Sequence, residues 1–255
     1  MNVLRSLALA PRTRSRAAAL VLLASAAAPA VAGSDLRLEL EGGPVWQVRN
    51  DFAVPGDSGT ELRLGDAPAA TAGRLTLVWD FGERWSLRAL AAPLATDTTF
   101  VSPDPVSFAG TEFAAGVPIT QRFEFDSYRL TLFRRFATAG AWSLRAGFTA
   151  KVRDASIRLS DGHSAAARND LGLVPLLYGG ARWEDGGRLA LDLELDALAA
   201  PQGRAVDFSA RLELAAGERW RPYLGYRLLE GGADNDEVRT FSTFHFALAG
   251  VSFRF

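Results

Sequence analysis

The sequence predicts an all-β fold: a closed antiparallel up-and-down transmembrane β-barrel of about ten strands. Three observations predict it. Apolar residues recur at every second position in ten segments, the connections between segments alternate between short and long, and the tryptophans gather at the short ones.

The first segment sets the pattern. In "LRLELEGGPVWQVRN" Leu36, Leu38, Leu40, Trp46 and Val48 take even positions, while Arg37, Glu39, Glu41, Gln47 and Arg49 take odd ones. In "RLALDLELDAL" Leu189, Leu191, Leu193 and Leu195 alternate with Arg188, Asp192, Glu194 and Asp196. Side chains on a strand point to opposite faces with period two, whereas a helix would scatter these leucines around its circumference. The same reading places strands near 36–49, 74–82, 84–94, 121–136, 141–158, 169–183, 188–199, 205–215, 219–229 and 239–255. The short turns are "GER", "ATAG", "EDGG" and "AGE"; the longer connections cover 50–73, 95–120, 159–168, 200–204 and 230–238. Short turns at one end and longer loops at the other suit a barrel that crosses a bilayer with its strands. Eight and twelve strands stay open, because residues 95–120 can be counted differently.

The two faces have different chemistry. Trp79, Trp85, Trp142, Trp183 and Trp220 sit at or near the short turns and share parity with the leucines of their strands. Indole favours a membrane–water interface, so these five form an expected aromatic girdle. Phe208, Tyr226 and Trp46 are candidates for the opposite girdle. Charges take the other parity, since one on the outer face at mid-membrane costs about 2–4 kcal/mol. Arg37, Glu39, Arg129, Arg145, Arg182, Asp192, Glu194, Asp196, Arg211, Glu213 and Arg227 are the expected lumen charge network, and Arg74, Arg88, Lys151, Arg153 and Arg188 are read on the same side. Asp192, Glu194 and Asp196 make one acidic row that should face Arg182 and Arg211. Long charged side chains in so narrow a barrel favour a lumen largely filled by paired charges; a narrow pore for a small solute is the alternative.

Residues 1–32 read differently. Arg5, Arg12, Arg14 and Arg16 precede the apolar run "AAALVLLASAAAPA" and then "AVAG", the layout of a secretory signal peptide cleaved after Ala32. The barrel then occupies 33–255. The chain has no cysteine, which excludes disulfides and thiolate metal sites, and its net charge of -1 gives nucleic acid no footing.

The chain ends "AGVSFRF", with Ala247, Ala249, Val251, Phe253 and Phe255 on one parity. This resembles the C-terminal assembly signal of bacterial outer-membrane β-barrels, carried by Val251, Phe253 and Phe255. "GPVWQVRND" and "GYRLLEGGADND" look like segments of small porin-like or OmpA-like members of that class. The resemblance implies a multi-pass barrel in the Gram-negative outer membrane, with outer-membrane lipid and lipopolysaccharide as surroundings and the barrel assembly machinery as partner during insertion. It leaves the oligomeric state open.

Catalysis has little to rest on. His163, beside Ser164 with Asp161 and Asp170 near in sequence, is the one faint Ser/His/acid set, in a loop. His245 belongs by parity to the outer face. "EGGADNDE" lacks the ligand spacing of an EF-hand. No metal, cofactor or catalytic residue is assigned, and the expected role is structural or surface interaction, with a lipid-modifying enzyme as a further alternative. In 95–120, "VSF" and "TEF" flank Ala109-Gly110 as a hairpin, and Phe100, Phe108 and Phe113 are expected to pack within the loops.

Overall fold

A computed structural model describes residues 35–255 apart from 66, 138–139 and 202. The expected signal peptide at 1–32 lies outside the described residues.

Fourteen strands follow in chain order. They are β1 (Asp35–Ala53), β2 (Leu62–Arg63), β3 (Ala70–Phe81), β4 (Trp85–Ala92), β5 (Ala95–Val101), β6 (Val106–Phe108) and β7 (Thr111–Phe113), then β8 (Pro118–Ala137), β9 (Trp142–Ser160), β10 (Ala165–Glu184), β11 (Leu189–Ala200), β12 (Gly203–Leu214), β13 (Trp220–Asp234) and β14 (Arg239–Arg254). Strands β4 and β5 are one barrel strand: both pair with β8 in a single register, interrupted at Pro93 and Leu94. Proline has no N–H to give the ladder, which accounts for the break. With β2 a short edge piece and β6–β7 a separate hairpin, ten strands circle the barrel, each antiparallel to its neighbours, and β14 closes on β1 from Arg37↔Arg254 to Ala53↔Arg239.

Closure of β14 on β1 removes the free edge between first and last strands, the condition for a sheet to survive in hydrocarbon. The outer face is apolar where it meets lipid: Phe148, Leu171, Leu173 and Leu224 are 68–72% exposed, far more than a soluble core would leave them. Trp220 packs on Phe253 at 4.6 Å between ring centroids, Phe253 on Phe255 at 5.1 Å, and the Phe255 N–H donates to Leu36 O at 3.0 Å.

The strands run farther at the long-loop end than periodicity suggests. Residues 161–164, 201–202 and 235–238 are all that remain of three expected long connections. Only two connections stay long, 54–69 and 102–117. The second contains the β6–β7 hairpin, where Ala109 (φ 48°) and Gly110 (φ 78°) both lie in the left-handed region that a tight two-residue hairpin turn demands.

One strand breaks its own parity. The β1–β14 register shifts between Gln47 and Arg49, leaving Val48 as an extra residue. Such a bulge reverses the faces beyond it. Arg49, expected inside, therefore points outward, pairs with Asp51 at 2.6 Å and lies over the Phe241 ring at 5.4 Å. Asn50 and Phe52 turn inward and are fully buried. Arg188 is also corrected: it stands exposed at a short turn and donates to Ala215 O at 3.0 Å.

Candidate functional site

The site is the barrel interior, and it has two layers. At the short-turn end, β11 presents Asp192, Glu194 and Asp196 inward because period two puts them on one face. Arg182 opposes Asp192 from β10 and Arg211 opposes it from β12. Curvature also brings in Arg145 from β9, the next strand along. Asp192 accepts from Arg145 at 2.8 Å, Arg182 at 3.2 Å and Arg211 at 3.4 Å. Arg211 also reaches Glu39 on β1 at 2.7 Å, and Glu39 takes Arg37 at 2.9 Å. Arg182 bridges on to Glu213 at 2.9 Å.

The middle of the lumen continues the pattern. Arg88 donates to Glu194 at 2.9 Å and Asp196 at 3.2 Å, and lies over the Tyr178 ring at 4.7 Å. Tyr178 donates its hydroxyl proton to Glu194 at 2.8 Å, and Thr149 does so to Asp196 at 2.6 Å. Arg129 joins Asp196 at 3.1 Å and also bonds Asp207. Arg227 grips Asp207 through two nitrogens at 2.8 and 2.7 Å. Arg74 does the same to Glu41, at 2.7 and 3.1 Å, and Tyr223 adds a bond to Glu41 at 3.0 Å. Every residue of the sequence-derived network thus lies inside, and the structure joins them into one lattice spanning opposite walls. Gly180 makes room for it: a Cβ there would stand 2.7 Å from Arg145 Nε.

Sequence reasoning passed over Asp207, Tyr178, Tyr223, Thr149 and Thr131, whose hydroxyl meets Arg88 at 3.3 Å and Thr149 at 2.8 Å. Asp207 had a signal, since it shares parity with Ser209, Arg211 and Glu213 along β12. The tyrosines had the same signal, Tyr178 sharing parity with Arg182 on β10 and Tyr223 with Arg227 on β13.

Under the loops the long-loop half has an apolar core, a limit on the expectation of a lumen filled by charge. Phe52, Val54, Leu62 and Leu64 meet Val106, Phe108 and Phe113 of the hairpin, and Ile119, Phe123, Ile157, Phe244 and Phe246 from the walls complete the cluster. The loops are stitched over it: Ala109 N–H donates to Val54 O at 2.9 Å, Thr60 N–H to Ser107 O at 2.9 Å and Gly56 N–H to Asp236 O at 2.9 Å. A polar knot fastens this cap to the wall. Gln47 donates to Leu64 O at 3.3 Å and accepts from Asn50 at 3.2 Å and Thr96 at 2.7 Å.

Other sequence-named residues fall as follows. Trp79, Trp85, Trp142 and Trp220 are exposed on the outer face and Trp183 is half-buried there, paired with Trp142. Phe208, Leu228, His245 and Trp46 fall in one cross-strand outer row, with Tyr226 bonded to His245 Nδ1 at 2.5 Å. Val251 and Phe253 are half-buried and Phe255 is exposed. Asp161 accepts the N–H groups of His163 and Ser164 at 2.9 and 2.6 Å, which holds its carboxyl below the usual range and engages it in the turn. Asp170 is bonded to Arg153. Glu230, Glu237 and Asp234 engage Arg204, Arg168 and Arg239, and among the described residues no group of His, Asp and Glu is placed to hold a metal ion.

Two cavities among the described residues are large enough to matter here. One of about 220 Å³ opens at the short-turn end, among Arg37, Arg135, Arg182, Glu213 and Arg254. The other, of about 490 Å³, lies in the long-loop half.

No family model matches the chain, and no curated protein matches it in sequence. Solved structures do. The outer membrane protease OmpT from Escherichia coli superposes with a TM-score of 0.54 at 10% identity, over 87% of this chain and 97% of that one. The fold is that of bacterial outer-membrane β-barrels. The translocator domain of the autotransporter NalP from Neisseria meningitidis (TM-score 0.45, 11% identity, 94% and 95% covered) and Neisserial surface protein A (0.38, 12%, 88% and 99%) also match. At these identities the likeness concerns architecture alone.

Proposed function

We propose that this chain is a closed, non-conducting barrel of the outer membrane that works without catalysing a reaction, as a scaffold presenting its loop-capped end to lipopolysaccharide or a surface partner. The observation that carries the reading is the bridge across the lumen, where Arg88 of β4 bonds Glu194 and Asp196 of β11 and Arg129 of β8 bonds Asp196 of β11 and Asp207 of β12. Buried charges persist only when paired, and pairing across the bore leaves no continuous water path. The apolar cap adds a second closure. Against catalysis stands the engagement of Asp161 by its own turn and of Asp170 by Arg153.

Planar-bilayer recording tests it. The native chain is expected to give no discrete current steps; salt-dependent openings would favour the narrow-conduit reading instead. Lipid A and phospholipid profiles of cells with and without the protein are expected to be identical, and a changed acyl pattern would return the enzyme alternative.

A further inference from the structure

The wall of this barrel is not level. Strands β8, β9 and β10 run 20, 19 and 20 residues, whereas β11 and β12 run 12 each. A tilted strand needs roughly 9–11 residues to cross the hydrocarbon, so the β11–β12 hairpin has little to spare. The ladder between β10 and β11 ends at Leu177↔Ala197, while β10 stays paired with β9 as far as Ala165. Residues 165–176 therefore have no strand beside them on the β11 side. Pro175, with no N–H to offer a partner, lies two positions beyond the last pair. The gap reaches into the apolar belt, since Leu173 on the outer side of this stretch is 72% exposed. Unpaired backbone at that depth is stable only where it borders a hydrated or occupied cavity.

The cavity of about 490 Å³ lies at this gap. Inward-facing Val174 and outward-facing Leu173 and Pro175 all line it, so it passes the β10 edge and reaches the outer surface. Phe123, Ile157, Leu198 and Phe244 supply apolar wall. Arg153 is neutralised by Asp170, Arg168 by Glu237 and Arg204 by Glu230. Lys151 is different. It is the single lysine of the sequence and is 2% exposed. Its ammonium lies 4.7 Å from the Phe125 ring centroid; Asp207 acts on it, but that carboxylate is already held by Arg129 and Arg227, and Arg153 adds a further positive charge. An ammonium buried to this degree is costly without a counter-ion.

We infer that this cavity binds an amphipathic monoanion, a carboxylate on an acyl chain or aromatic ring, which enters between β10 and β11 and sets its charge against Lys151. The volume suits a small-molecule site. The site lies away from the Asp192 hub, so it does not depend on whether the lumen conducts.

The test uses the full barrel in nanodiscs of zwitterionic lipid, titrated calorimetrically with decanoate and, as the uncharged control, decanol. Decanoate is expected to bind saturably. Lys151→Met is expected to weaken decanoate by about tenfold or more, the worth of one charge-assisted contact, and to leave decanol unchanged. Leu198→Trp, which fills the cavity, is expected to abolish binding of both. Repeating the titration in amphipol separates the sources: equal affinity without a bilayer assigns the ligand to water, and binding confined to nanodiscs assigns it to the lipid. Equal decanoate affinity in the native and Lys151→Met chains, or no saturable binding in either medium, overturns the inference. If Lys151→Met does not insert, Leu198→Trp decides alone, and undiminished decanoate binding there sinks the site.

Discussion

In the short-turn half of the lumen Asp192 holds Arg145, Arg182 and Arg211. In the long-loop half Phe52 meets Phe108 edge-on at 5.7 Å and Phe123 stacks on Phe244 at 5.8 Å. The first half is laced by directional bonds between groups that resist leaving water. The second is packed by loops folding in because their side chains avoid water. The difference teaches that one bore can be filled in two ways with two modes of failure: a charge lattice fails when a partner is removed, an apolar cap when volume is removed.

The largest effect is expected from Asp192→Ala, which takes one carboxylate from three guanidinium groups at once and leaves Arg145, Arg182 and Arg211 leaning on Glu194, Glu213 and Glu39. Loss of one partner from a buried ionic cluster costs about 3–5 kcal/mol, readable as a lower urea midpoint in detergent micelles. Current steps should appear in planar bilayers as the lattice loosens. A sharper form uses the Glu41–Arg74 pair: Glu41→Leu with Arg74→Met should cost less than either alone, because the double change leaves no orphan guanidinium or carboxylate. Next is Phe108→Ala, whose cavity is worth about 3 kcal/mol locally. Proteolysis within 102–117 should accelerate while the unfolding midpoint of the strand ladder moves little; equal shifts in both would mean the two halves are one cooperative unit. Gly180→Ala forces a methyl against Arg145 and is expected to cost about 1–2 kcal/mol, seen in the same urea titration. The smallest effect belongs to Arg204→Ala, whose exposed pair with Glu230 is worth less than about 1 kcal/mol, so its melting curve should overlay the native one.

Parity alone carried most of the fold. Leu189 to Asp196 declare one wet side and one oily side residue by residue, which is why strand number and the inward set could be read without coordinates. Partners within the lattice could not. Glu39 and Arg211 are 172 positions apart and meet only because the sheet curls, and no local pattern encodes a contact across a bore. The apolar layer was hidden for another reason. In "FHFALAG" both parities are apolar, so Phe244, Phe246 and Leu248 facing inward resemble Ala247 and Ala249 facing lipid. Strand ends were underestimated because strands that rise beyond the bilayer no longer need an oily side, and the alternation fades with the need.

The extra residue at Val48 makes the chain sensitive to counting. Substitution there changes one outward side chain, but loss of one residue would exchange the faces of everything from Arg49 to Ala53. Phe52 would leave the cap, Asn50 would drop out of the knot with Gln47 and Ser242, and Arg49 would be driven inside. Length variation among descendants of this sequence should therefore collect in the connections at 54–69 and 102–117 and spare the stretch from Gln47 to Ala53, however freely its individual letters change.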